Sequence, residues 1–387
     1  MKDNMVMYQS LIVVVMVDLV GLAIIGFITR SPISSTFEKT ADAIVETFFM
    51  TKERNAGPSS LELIVVGDIG GLPFYPYYTR AQRKVAQTMA KWAKEHNLHG
   101  VINAGDNMYF TGVDNEYSFR FRRTFEEIYD DMALNVTWFT IAGNHDHFGN
   151  ISAQIAYTNH SQKWYFPSLY YNMSYKLGNT TVDVLMIDTI QLCGNTANVK
   201  NARIWDILRQ HPPLGPENKT LADQQWAWID RTMQASTADY LFVVGHYPIY
   251  SVSSHGPTKC LVDNLNPLLK EYHASAYFSG HDHNLQHFTS KSNTGQDIHY
   301  VVSGAGSRSD YSDSHRNKNY GAAFRYRYPS SRFISNPFSQ LGFSDGGFVY
   351  MSLTKAYANL TFITGADVQK YRLFIYPRNL TWLRKPR

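Results

Sequence analysis

Five short apolar runs in this chain end in glycine and then in a side chain able to bind a metal. LIVVGD delivers Asp68, VINAGD Asp106, FTIAGNH Asn144 and His145, and LFVVGH His246. The fifth, Ala276-Tyr277-Phe278, leads into Gly280-His281-Asp282-His283. Apolar, β-branched runs of this length read as buried strands. In an extended segment His281 and His283 point the same way, because side chains repeat every two residues. Two histidines alone would be ordinary exposed residues. Five strand ends carrying carboxylate, amide and imidazole groups can instead converge at one sheet edge, where open α/β folds place their sites.

The segments between supply the rest of an α/β chain. Thr79 to His96 puts Ala81, Val85, Met89, Trp92 and Ala93 on one helical face. With the strands Leu61–Val66 and Val101–Ala104 it makes a βαβ unit with a right-handed crossover. Glu116 to Asp131 reads as a helix with Phe121, Phe125 and Ile128 inward. Trp138–Ala142 reads as a strand, Ile151–Tyr157 as a helix and Val182–Ile187 as a strand. Asp188 follows that strand without a glycine and is expected to be structural. Leu221–Gln234 and Leu261–Tyr272 read as helices, with the strand Tyr240–Val244 between them. Gly194 to Thr220 contains HPPLGP and is expected to be a long polar loop, of the length that serves as an active-site lid. Tyr311 to Asp345 reads as mostly loop. Gly347–Leu353, Leu360–Thr364 and Tyr371–Tyr376 read as antiparallel strands. The expected class is α/β, of the four-layer α+β type, with two packed mixed sheets flanked by helices.

The ends and the charge bound where such a chain works. Leu11 to Ile28 is apolar except for Asp18. Its length lies between a signal-peptide core and a spanning helix, so residues 1–30 read as a signal peptide or signal anchor. Residues 31–60 end in NAGPSS and read as a stem, and 61–387 as the catalytic domain. The expected location is the secretory pathway: secreted, lysosomal, or tethered through residues 11–28 with the catalytic domain outside the cytosol. Eight Asn-x-Ser/Thr sequons, at Asn135, Asn150, Asn159, Asn172, Asn179, Asn218, Asn359 and Asn379, agree with export. A formal net charge of +4 without a basic–aromatic stripe excludes nucleic acid as a partner and suits small anionic substrates. Two cysteines cannot form a Cys-rich metal site, and their spacing does not say whether they meet.

The donors are a mixed oxygen and nitrogen set, which favours Zn, Fe or Mn over calcium. They suffice for two ions, and Asp106 is the best bridge because a carboxylate has two oxygens. Tyr109 follows three residues later. A phenol is a poor ligand until deprotonated, which a hard trivalent ion would drive. By spacing alone, one of 26 tyrosines is more readily a packing residue. No GxSxG elbow supports a serine hydrolase.

Taken in order, GDIG, GDNMY, GNHDH, GHYP and GHDH resemble the calcineurin-like metallophosphoesterases, and among them the small purple, or tartrate-resistant, acid phosphatases. The resemblance runs from about Leu61 to Phe374 and includes AQIAY, GHYPIYSVSSHGPTKC and SGAG. It implies Asp68, Asp106, Tyr109 and His283 around Fe(III), and Asp106, Asn144, His246 and His281 around Fe(II) or Zn(II). It places His145 and His255 outside the metals, on the phosphate or its proton. It implies a Cys193–Cys260 disulfide and makes Gly194–Thr220 a repression loop open to an activating protease. The long N-terminal run and stem depart from the family's cleaved signal peptide. The implied activity is hydrolysis of phosphate monoesters, on small esters or phosphoproteins, by metal-activated hydroxide. The alternative is a phosphodiesterase or nucleotide or phosphoprotein hydrolase on the same metals. With ordinary values near 6.5, both outer histidines are expected to work protonated, favouring an acidic optimum.

Overall fold

A computed structural model describes residues 52–55, 60–197, 211–317, 321–330, 336 and 338–379, with side chains from residue 60 onward. Its elements run β1 (Lys52–Asn55), β2 (Leu61–Val66), α1 (Arg80–His96), β3 (Gly100–Asn103), β4 (Thr137–Thr140), α2 (Ile151–Ala156), β5 (Trp164–Tyr165), β6 (Tyr171–Leu177) and β7 (Thr180–Met186). Then come α3 (Thr189–Cys193), α4 (Lys219–Ala235), β8 (Tyr240–Val244), α5 (Lys259–Glu271), β9 (Ala276–Ser279), β10 (Leu285–Lys291), β11 (Asp297–Ser303), β12 (Ala323–Tyr328), β13 (Gly347–Leu353), β14 (Ala358–Thr364) and β15 (Gln369–Ile375).

The strands form two mixed sheets. One has the order β1-β6-β7-β8-β9-β11-β10-β12, the other β15-β14-β13-β2-β3-β4-β5. In the second, β2, β3 and β4 are parallel neighbours, and in the first β8 and β9 are. All five glycine-ended strands therefore reach their loops beside one another. Strand β8 shows how the layers pack. Tyr240, Phe242 and Val244 share a buried cluster with β2, β3, β4, β13 and β14, whereas Leu241 and Val243 pack with Trp228, Ile229, Leu261 and Leu265 of α4 and α5. This period-two split puts the second sheet on one face and helices on the other. Helix α1 lies against β13, with Trp92 and Tyr350 ring centres 5.0 Å apart. Thr79 begins it by accepting from Gln82 N, and Asn97 ends it in a left-handed turn.

One expectation needs correction. Glu116–Asp131 is not a regular helix but holds one wide turn at Phe121–Glu126, where Glu127 N bonds Arg122 O across five residues. Two anchors meet there. Arg120 is fixed to Tyr109 O, Gly70 O and Thr124 Oγ1, while Phe125 packs edge-on against Trp138 and Trp164 at 5.0 Å. The segment 311–345 contains β12, whose alternating AFRYRY residues pair antiparallel with β10. Between residues 31 and 60, β1 pairs in parallel with Met173–Lys176 at the sheet edge. Residues 11–28 lie outside the described residues, among which no helix is long and apolar enough to cross a membrane.

Two histidines without a role in the motifs meet in this frame. His287 on β10 has Nε2 3.0 Å from His299 Nδ1 on β11, and its Nδ1 is 3.0 Å from Tyr371 Oη. Burial, then His299 and Arg325, pull His287 down to about 3. Burial pulls His299 down to about 4, with Asp297 opposing and Arg325 and Lys291 adding. Both folded values lie below the unfolded one near 6.5. The neutral pair therefore stabilises fully above pH 6.5, and that stability is lost as pH falls toward 4 and then 3, at about 1.4 kcal/mol per pH unit for each ring. Replacing His299 by Gln should flatten the acid decline of Tm. A decline equal to wild type would contradict this.

Candidate metal centre

The turns after β2, β3 and β9 place Asp68, Asp106 and His281 at φ 60°, 54° and 70°. This left-handed region costs a residue with a Cβ roughly 1–3 kcal/mol and clusters at functional sites. Here it throws each side chain back across the sheet ends. Asp68 N bonds Gly105 O at 2.8 Å, Gly280 N bonds His246 O at 3.0 Å, and His281 N donates to Asp68 Oδ2 at 2.8 Å. A Cβ on Gly280 would lie 2.5 Å from that same Oδ2. Glycine precedes the ligand because a carboxylate presses on the backbone there.

The predicted ligands come together as two overlapping groups. Ligand atoms of Asp68, Asp106 and His283 lie within 4.8 Å of one another. Tyr109 Oη sits among them, 2.9 Å from Asp68 Oδ1 and 3.0 Å from His283 Nε2. On the other side of Asp106, His246 Nε2 is 3.4 Å from Asp106 Oδ1 and 3.1 Å from Asn144 Oδ1. The rings of His246 and His281 are 5.1 Å apart. Asp106 is the member common to both groups.

Hydrogen bonds fix which nitrogen each histidine offers. His246 Nδ1 is 2.8 Å from Ala104 O and His283 Nδ1 is 2.8 Å from Gln340 Oε1, so both present Nε2 inward. Among the described residues, the buried His281 Nδ1 has no hydrogen-bond partner, as a ligand atom would not. Asn144 is held by its Nδ2 on Thr196 Oγ1 and its carbonyl on Asn195 Nδ2, leaving Oδ1 toward His246.

The charges fit the same reading. Burial and the neighbouring Asp106 hold Asp68 well above the usual carboxylate range. Asp106 is also penalised by burial, yet His246, His145 and His283 bring it below its ordinary value. Burial chiefly lowers His246 and His281, and lowers His283 to about 3, which favours the neutral rings that a metal requires. Tyr109 is pushed well above its usual value by burial and the two carboxylates. A strongly charged cation is what relieves such a set, and these residues fit a two-metal centre.

The outer histidines differ in their surroundings. His255 stands with Nδ1 2.7 Å from Asp282 Oδ1 and its ring 4.2 Å from that of His281. Burial opposes its charge, but Asp282 outweighs burial and raises it above the ordinary value. His145 has Nδ1 2.7 Å from Phe110 O and its backbone N on Asp106 Oδ1. Burial dominates there and lowers it. His255 can donate from Nε2, whereas His145, whose Nδ1 faces a carbonyl, can accept at Nε2 when neutral.

Several supporting residues had no role in the sequence reading. Asp282 stands inside the last motif, and its pairing with His255 is long-range. Asp146, raised to about 7 chiefly by burial and Asp106, gathers Asn107 N, Met108 N, Gly143 N and Gln154 Nε2, tying the β3 and β4 loops together. Asp188 is structural as expected: it caps α3 and takes His147 Nε2 at 2.7 Å. Cys193 and Cys260 form a disulfide with Cα atoms 5.8 Å apart, joining α3 to α5.

Fold and site together define a calcineurin-like phosphoesterase, and residues 61–285 match that family's model. Rat tartrate-resistant acid phosphatase type 5 is 39% identical over 320 residues, 82% of this chain and 90% of the rat protein. Purple acid phosphatase 7 of Arabidopsis thaliana is 30% identical, over 64% of this chain and 71% of its own. Among solved structures, GAP50 of Plasmodium, the anchor in the inner membrane complex, superposes with TM-score 0.63 at 20% identity, covering 83% of this chain and 90% of that one, which shows the shared fold. The chain belongs to the calcineurin-like phosphoesterases, in their purple acid phosphatase branch.

Proposed function

We propose that the protein is a dinuclear-metal acid phosphatase that hydrolyses phosphate monoesters. The carrying observation is Tyr109 Oη between Asp68 Oδ1 and His283 Nε2, beside Asp106, which in turn lies 3.4 Å from His246 Nε2. Asp68, Asp106, Tyr109 and His283 would hold Fe(III), and Asp106, Asn144, His246 and His281 would hold Fe(II) or Zn(II). Two such ions supply Lewis acidity to phosphate oxygens and lower the pKa of water. His255, held by Asp282, protonates the leaving-group oxygen. His145 accepts a hydrogen bond from the water or from a phosphate hydroxyl. Ser251 also bonds Asp282, so the donor's ring is positioned by a buried chain.

The disulfide supports work in an oxidising compartment. None of the eight sequon asparagines is buried, which supports the secretory pathway. Residues 211–220 are almost wholly exposed and suit an activating protease, while 198–210 lie outside the described residues. The test is the initial rate on p-nitrophenyl phosphate and on bis(p-nitrophenyl) phosphate between about pH 4 and 8. Faster turnover of the monoester with an acidic optimum is expected. Preference for the diester would contradict the proposal.

A further inference from the structure

Arg308 belongs to none of the ligand motifs, yet the fold carries it to the metal centre. The loop after β11 lies across the turn that holds Asp68. Gly306 N donates to Gly67 O at 3.1 Å, Ser307 Oγ to Asp68 O at 2.6 Å, and the Thr79 hydroxyl to Ser307 O. A Cβ on Gly304 would stand 2.8 Å from Asp68 Oδ2. With its base pressed on that turn, the loop sets the Arg308 guanidinium 4.0 Å from the centre of the Tyr109 ring and 5.4 Å from that of Phe110.

The contact is made at the expense of ordinary guanidinium bonding. Arg308 is 4% exposed; among the described residues its Nε has no partner and its one hydrogen bond is from Nη2 to Gly71 O at 2.8 Å. A buried guanidinium commonly forks onto a carboxylate. Asp68 and Asp106 are near enough for Arg308 to feel their charge, yet neither bonds it. The ring face holds it instead, an attraction that is strongest when both partners are desolvated and stronger still for a phenolate.

We propose that Arg308 is a positioning residue for the Tyr109 ligand: a fixed positive charge over the ring that favours the phenolate and lowers the energy of its electrons. This rests on the iron–phenolate reading above. The guanidinium lies over the ring and bonds neither carboxylate. It therefore stabilises the electron donor more than an ion held by Asp68 and Asp106. Transfer of charge from Tyr109 to Fe(III) then takes more energy, and the visible band stands at shorter wavelength than it would without the arginine.

The experiment compares visible spectra of iron-replete full-length wild type, Arg308→Gln, Arg308→Met, Arg308→Lys and Tyr109→Phe, at matched iron content. Both neutral variants should move the absorption maximum to longer wavelength, and Arg308→Lys, which keeps the charge, should move it less. An unshifted maximum in a folded neutral variant overturns the inference. So does unfolding of both neutral variants beside a normal lysine variant, because an arginine needed only for folding would behave that way. The iron reading itself fails separately, if wild type has no visible band or if Tyr109→Phe retains it.

Discussion

Asp106→Ala should empty both metal positions and abolish nearly all phosphate release. Asp106 is the one residue shared by the two donor groups, with Oδ1 already taken up by His145 N and close to His246 Nε2. Removing even one preorganised donor to a transition state costs roughly 10²–10³-fold in turnover. Losing the bridge of a two-metal clamp should therefore cost more than ~10³-fold. Stability gives a second readout. A metal that binds only the folded chain raises Tm by mass action, so the Tm gain on adding iron and zinc should vanish in the variant. Without added metal its Tm should match or exceed that of wild type, because Asp106 no longer repels the buried Asp68 carboxyl. A variant that keeps two metals would remove Asp106 from the bridge.

His255→Ala should keep both metals and lose turnover in a way that depends on the leaving group. His255 hydrogen-bonds Asp282 rather than any of the predicted metal ligands. Loss of a general acid costs about 10²–10⁴-fold. That cost should appear in full for alkyl phosphates, whose alcohol needs a proton, and shrink for aryl phosphates with acidic phenols. Values of kcat/KM across both series, with metal analysis on each sample, check it. Loss of metal would make His255 a ligand. An equal defect for all leaving groups would make it a phosphate contact and not the proton donor.

The candidate donor set was legible because most of its members are announced locally. A buried strand, a glycine and a donor residue fit within six or seven positions, and adjacent parallel strands bring their ends to one edge without further information. Tyr109 was weaker by spacing and drew its expected role from the resemblance. Its place between Asp68 and His283 follows from the turn at Gly105-Asp106, which no periodicity announces. The supporting residues were illegible for a simple reason: their partners are remote in sequence. Gln340 meets His283 across 57 positions, and Arg308 reaches Tyr109 only because two glycines let one loop lie on another. Protonation was hidden likewise. His145 and His255 have the same intrinsic pKa, and they part because burial dominates at one while the Asp282 carboxylate outweighs it at the other. The wide turn at Phe121 has helical periodicity, so hydrophobic spacing could not distinguish it from a helix.

The most direct measurement is the metal content of the purified protein together with its visible spectrum, taken beside Tyr109→Phe. The expected result is two metal ions per chain, at least one of them iron, with a visible band in wild type that Tyr109→Phe removes. A colourless, fully active wild type containing only zinc would contradict the iron–phenolate centre, and full activity with one metal per chain would contradict the bridged pair.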